Sequence, residues 1–337
     1  MYTNSVAVPR EDLAGPIRLQ DNSLNDYIAH LLLPAFPVMK RESNIPSVLQ
    51  TDDQVLDVKH APGTPYQRVK ATLGNKSYRC EEAGIEEPIT AEDYDVLGQD
   101  GAEALATERG SQIVLRAREA ALAAVLTGTA GETTFLNQVT TPDIAENWGE
   151  ATGEPISDIA KADLALTLRI GAGLRWLLLS AEDLADLQKN AQIRSAYRAI
   201  AGINDPTALH RKISVDHLAT VLGVDKILVG NARQNTAEKG AAATYSFIWP
   251  HLYPLLLRGV ANPANLMEPC LGRTFIWDQA NVGAEGELRS NDNLTGVAVE
   301  SYRDETAKSD IVRVTEYTAL KLLNITAAQL IKLPASD

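Results

Sequence analysis

The segment from Ala102 to Leu126 most restricts the folds open to this chain, because it is alanine-rich, free of proline and periodic in its apolar residues. Leu105, Ile113, Leu115, Ala120, Leu122 and Leu126 recur near helical spacing, and Gly128 stands where a helix would stop. A helix over this range would be about 38 Å long. A rod of that length spans a domain, so the other elements have to be arranged along it. Just upstream, Thr90 and Asp93 have capping-box spacing, and Gly98 and Gly101 predict an early interruption of the helix they begin.

The chain on either side reads differently. Residues 1–25 mix Pro9, Gly15 and Pro16 with scattered charges and predict an extended arm. Tyr27 to Leu33 is an apolar anchor that Pro34 and Pro37 must end. Residues 54–59 and 67–72 alternate in strand fashion about a turn at Pro62 to Pro65 and predict a hairpin, with Ser77 to Cys80 as a third extended piece. That hairpin carries too little apolar surface to stand alone in water, so it needs a neighbour. Beyond Pro155, caps and apolar runs alternate: a helix opened by Ser157, a strand at Arg175 to Leu179, a helix opened by Ser180 and Asp183, a helix opened by Ser214 and closed by Gly223, and a strand at Lys226 to Val229. After Tyr245, strand patterns dominate, at 246–249, 273–277, 297–302, 311–317 and 329–333. The class predicted is α+β, without regular βαβ repetition.

Charge is distributed unevenly. The sum is −13, which disfavours a protein that grips nucleic acid but suits a wall along which a charged polymer must slide. Residues 54–79 carry Lys59, Arg68, Lys70, Lys76 and Arg79 against Asp57 alone. Residues 81–95 carry Glu81, Glu82, Glu86, Glu87, Glu92, Asp93 and Asp95 with no basic residue between them. This acidic run reads either as a solvated face near a helix start or as a strip that receives a basic partner. Sites of chemistry are not apparent. Gly171-Ala-Gly173 follows a predicted helix and has Trp176 where a dinucleotide fingerprint needs glycine. No phosphate-binding loop, nucleophile elbow or zinc-protease motif occurs, and His210 and His217 straddle a predicted break. Cys80 and Cys270 lack the spacing of a disulfide framework or a zinc site and are expected to be inert thiols. No catalytic, cofactor or metal residue is therefore expected, and neither a signal peptide nor a membrane span.

Read in order, the segments resemble the major capsid proteins of tailed bacteriophages, the HK-ninety-seven type, whose fold encapsulin compartments share. The residues that carry the likeness are Ala35-Phe36-Pro37-Val38-Met39-Lys40, Tyr78-Arg79-Cys80-Glu81, the helix end Arg118 to Ala123, Leu177-Leu178-Leu179-Ser180, Leu218 to Val224, Ile227 to Ala232, Asn235-Thr236-Ala237 and Phe247-Ile248-Trp249. The resemblance implies a phage major capsid fold, with an N-terminal arm and anchor over 1–38 and an extended loop over 39–80. It implies a peripheral domain on the spine helix over 81–154 and 311–337, and an axial domain over 155–310. It implies a non-enzymatic shell subunit of the virion, assembled in the host cytoplasm. The partners implied are copies of itself in hexamers and pentamers, a scaffolding protein, a portal, optionally a decoration protein, and enclosed double-stranded DNA bound without sequence preference, with no membrane. Because only an arm precedes the anchor, scaffolding is expected from a separate protein, or from a longer form already trimmed. In such a shell the loop lies across a neighbour, which makes Lys59, Arg68, Lys70, Glu81, Glu82, Glu86 and Glu87 the expected contacts between subunits. An encapsulin-like compartment is the alternative, and an enzyme using the acidic segment the remote one.

Overall fold

The computed structural model describes residues 8–9, 26–48, 55, 58–59, 68, 70, 73–127, 139–140, 144–201, 212–238, 240–277 and 297–335. Its spine is a helix over Gln99–Leu126, α3, preceded by α2 over Ala91–Leu97, and both follow the short α1 over Ala29–Leu32. The Thr90–Asp93 capping box forms as expected. Gly98 ends α2 at φ +73°, in a conformation favoured by glycine, yet Gly101 lies inside the first turn of α3 without breaking it. A glycine in the first turn interrupts few intrahelical hydrogen bonds, so a helix this long absorbs its cost.

The inward face of α3 is not the one its bulkiest residues suggest. Leu105 and Ile113 are exposed, Leu115 is half-buried, and Ala102, Ala106, Gly110, Val114 and Leu122 point inward. Small residues there let the helix lie close on a sheet; a Cβ added at Gly110 would meet Val314 at 2.6 Å. That sheet runs β1 (Val8–Pro9), β12 (Val297–Asp304), β13 (Ser309–Leu322), β11 (Gly272–Trp277), β2 (Ala35–Val38), with β5 (Glu81–Ile89) also paired to β13. Ala102, Ala106 and Val114 pack on Ile89, Val297, Val299, Val312 and Val314.

A second sheet has the order β14 (Ala328–Leu330), β10 (Leu255–Arg258), β6 (Arg175–Ser180), β7 (Lys226–Gly230). Strands β6 and β7 are parallel, joined by a crossover whose described residues include the helices α5 over Ala181–Lys189, α6 over Ala191–Ala201 and α7 over Val215–Leu222. With α4 over Pro155–Ile170, these helices bury Trp148, Ile159, Leu166, Leu187 and Leu218 against Leu177, Leu179 and Leu256. On the sheet's other face, Leu178, Leu228 and Leu255 join Leu32, Leu33, Leu122, Leu126 and Trp249 in a core that ties the sheet to the anchor and the end of the spine.

Several expectations shift. The helix expected from Ser157 begins at Pro155, whose fixed φ suits a first helical position and whose missing N–H costs nothing there. Strand 311–317 extends to 309–322, since it pairs along both edges, and the last strand shortens from 329–333 to 328–330. The hairpin moves most. The ladder among the described residues pairs β3 (Glu42–Val48) with β4 (Leu73–Arg79), whereas Val55, Val58, Lys59, Arg68 and Lys70 are in no strand. At the described positions of 54–59 the alternation has no buried face, as Val55 and Val58 are fully or almost fully exposed. The remainder of those two segments, the turn at 62–65, most of the arm and His210 lie outside the described residues.

Candidate assembly surfaces

The acidic run is mostly a strand. Over Glu81–Ile89, β5 pairs antiparallel with β13 in the register Glu81↔Thr318, Glu82↔Tyr317, Glu86↔Arg313 and Glu87↔Val312. Charged side chains and Pro88 along a strand with one paired edge deter unwanted strand addition. Cations of the same chain answer part of this charge. Glu86 sits 2.7 Å from Arg313 and accepts a hydrogen bond from the Tyr302 hydroxyl at 3.1 Å, while the Arg313 guanidinium lies over the Tyr302 ring. The hydrogen bond that Arg313 donates to Glu86 raises the Arg313 pKa. Glu87 pairs with Arg109 of the spine at 2.7 Å. Glu92 and Asp93 occupy the first turn of α2, and hydrogen bonds from Thr90 lower the Asp93 pKa, so these two complement a helix start.

The basic residues stand elsewhere. Lys59, Arg68 and Lys70 are exposed in the segment beyond Val48↔Leu73, the pair farthest from the ladder's base. That base is firmly held. Arg41 and Cys80 exchange hydrogen bonds at 2.8 and 3.1 Å, the Tyr78 hydroxyl donates to the Lys40 carbonyl, and the Tyr78 ring stacks on Phe275 at 4.6 Å. Farther out, Asn44, Pro46 and Asn75 to Ser77 are exposed. Among the described residues, the ion pairs of Glu86 and Glu87 go to Arg313 and Arg109.

The interior contains a polar joint that sequence reading missed. Glu119, fully buried on the spine, accepts from the backbone N–H groups of Ile28 and Ala29 at 2.8 to 3.1 Å and from the Trp249 indole at 2.5 Å. Burial pushes its carboxyl above the usual range, against donors that favour the ionised form. Its neighbour Arg118 makes a buried ion pair with Glu316 of β13. A helix face carrying glutamate and arginine gives no hydrophobic signal, so no period in the sequence marks these contacts.

Cys80 and Cys270 are both buried and free, and burial raises the pKa of each, that of Cys80 to about 11. The Ser214 hydroxyl lies 2.6 Å from His217 Nδ1, and the imidazole meets the Tyr197 ring edge-on. Gly171 ends α4 at φ +77°. Among the described residues, no cluster of potential metal ligands occurs and no helix is long and apolar enough to cross a membrane.

No protein-family model matches the chain, and no curated protein matches it. Solved structures do. A phage-related protein from Bordetella bronchiseptica is similar at 20% identity and a TM-score of 0.69, over 98% of this chain and 100% of that one. A chain in the capsid structure of the cyanophage P-SCSP1u aligns at 10% identity and a TM-score of 0.59, over 92% of this chain and 89% of its own length. A virus-like particle from Pyrococcus furiosus gives 10% identity and a TM-score of 0.52, over 96% and 98%. The fold is therefore α+β and of the phage capsid type, along nearly the whole chain.

Proposed function

We propose that this chain is the major capsid protein of a tailed bacteriophage, assembling into hexamers and pentamers of an icosahedral shell that encloses double-stranded DNA. The observation that carries the reading is likeness to a capsid structure over 92% of the chain, together with a ladder whose described side chains are mostly exposed. In this reading 1–38 is the arm and anchor, 39–80 the extended loop, 81–154 with 311–337 the peripheral domain and 155–310 the axial domain. The role is structural, not enzymatic, and its place is the virion, after assembly in the host cytoplasm. A scaffolding protein, a portal and, optionally, a decoration protein are the further partners.

Between neighbours, Lys59, Arg68 and Lys70 of one loop face the acidic strip of the next subunit. Glu81 and Glu82 are the end of the strip that receives them, because Glu86 and Glu87 already have cations of their own. Each exposed pair contributes about 0–1 kcal/mol, but repetition around every ring lets the sum set register and assembly rate. The test is charge reversal, Arg68→Glu with Lys70→Glu, scored by shell yield in negative-stain images while circular dichroism tracks folding. Fewer shells from folded subunits, and weaker wild-type assembly as salt rises, are the expected results. Unchanged assembly across both would sink the contact. A folded wild-type protein that stays monomeric at micromolar concentration would sink the shell reading itself.

Likeness to a virus-like particle favours one second reading, an encapsulin-like compartment with protein cargo. Purified native shells containing protein cargo and no DNA would favour it.

A further inference from the structure

We infer that Glu119 is a shared latch that couples the anchor to the end of the hairpin formed by β8 (Arg233–Asn235) and β9 (Tyr245–Phe247), so that movement of either segment loosens the other. The coupling lies within one chain, and its test does not depend on assembly.

Two oxygens serve three donors. The Trp249 indole donates to Oε1 at 2.5 Å, the Ala29 N–H donates to Oε2 at 2.8 Å, and the Ile28 N–H lies 3.1 Å from both. A carboxylate is planar, so it cannot turn to follow one partner without leaving another. Helix α1 has no cap of its own to fall back on, since Ile28 makes no side-chain cap hydrogen bond and no acidic residue stands in the first turn. A four-residue helix is marginal in isolation, and the N–H groups at its start go to a carboxylate 90 residues away.

The other end of the latch is tied to the hairpin. Only Ile248 separates Trp249 from β9, and the Ile248 N–H donates to the carbonyl of Ala232, the residue before β8. The indole is closely confined: a Cβ added at Gly230, the last residue of β7, would meet its Cδ1 at 2.2 Å. A displacement of the hairpin therefore carries the indole N–H off Oε1. Glu119 is 0% exposed, so water does not replace the lost donor, and burial already works against the ionised form. A buried carboxylate short of a donor is costly, and opening the anchor relieves that cost. Thermodynamic linkage makes the effect equal in the reverse direction, from anchor to indole.

Native-state hydrogen exchange on the full-length wild-type chain, read by NMR in increasing urea, tests the latch without any substitution. The Ile28 and Ala29 amides and the Trp249 indole N–H should exchange through one opening, with a single urea slope. They should do so about tenfold or more faster than the Val312 and Val314 amides of β13, which is paired along both edges there. Separate openings for anchor and indole, or exchange of all these protons only by global unfolding, would overturn the proposal. As a second measurement, Trp249→Phe removes the indole N–H and keeps an aromatic ring. It should speed exchange at Ile28 and Ala29 by about tenfold, and far less in a chain that already carries Glu119→Gln. Equal acceleration in both backgrounds, or none in either, would show that nothing passes through Glu119 and would overturn the proposal.

Discussion

The joint around Glu119 and the β3–β4 ladder stand at opposite extremes of self-sufficiency. In the first, one carboxylate meets three elements, and Trp249, Leu32 and Leu122 close the apolar surface around it. In the second, β3 and β4 pair from Glu42↔Arg79 to Val48↔Leu73 while most of the described side chains face solvent. The contrast separates what stabilises the chain from what the proposed function would use for contact with another copy. Stability resides where polar groups are both buried and answered, whereas strands that form without cover leave surface exposed.

Mutations should divide along this line. The largest effect is expected from Arg118→Met, which leaves Glu316 charged, buried and short of its cation. Urea unfolding should show a loss of about 3–5 kcal/mol, and a loss near zero would mean the pair is more solvated than its burial indicates. Next comes Leu122→Ala, at 1% exposure, with about 2–5 kcal/mol; Ile45→Ala in the half-covered ladder should cost well under that in the same titration. Equal costs would erase the distinction between the two regions.

The ladder's base offers a sharper, pH-dependent probe. Burial raises the folded-state pKa of Cys80 from 9 to about 11, so the folded chain holds its thiol proton more tightly than the unfolded one. The associated stability is complete below pH 9 and is lost as pH rises through 11. Replacing Cys80 with Ala should flatten the decline in melting temperature over that window, and wild-type Cys80 should resist alkylation at pH 8. Rapid labelling of the folded protein at pH 8 would show that the base opens. The smallest effect is expected at the surface. Glu87→Gln breaks a pair with an exposed Arg109 and should change stability by no more than about 1 kcal/mol in thermal melts, diminishing with salt.

How much of this was legible beforehand follows from how local the causes are. The Thr90 and Ser180 capping boxes, the Ser214 cap, the Gly223 terminus and the buried strands at 175–180 and 226–230 were readable, because each depends on residues within a few positions. The site was less so. The acidic run and the basic segment could be seen as charge, but not that Glu81 to Ile89 would be a strand, nor that Arg313 and Arg109 would answer two of its acids. Those partners lie far away in the chain, and only pairing with β13 sets them opposite.

By itself the sequence determined a long spine helix, the α+β class and a charge asymmetry, since helical period, caps and composition are properties of neighbouring residues. The tertiary structure alone decided which side of the spine turned inward. Ala106, Gly110 and Val114 face the sheet while Leu105 and Ile113 face outward, because a helix laid close on strands needs small side chains at the contact. It likewise decided that Glu119 would be buried. A carboxylate is tolerated inside a protein only where several donors converge on it, and here they arrive from Ile28, Ala29 and Trp249, which no local pattern links.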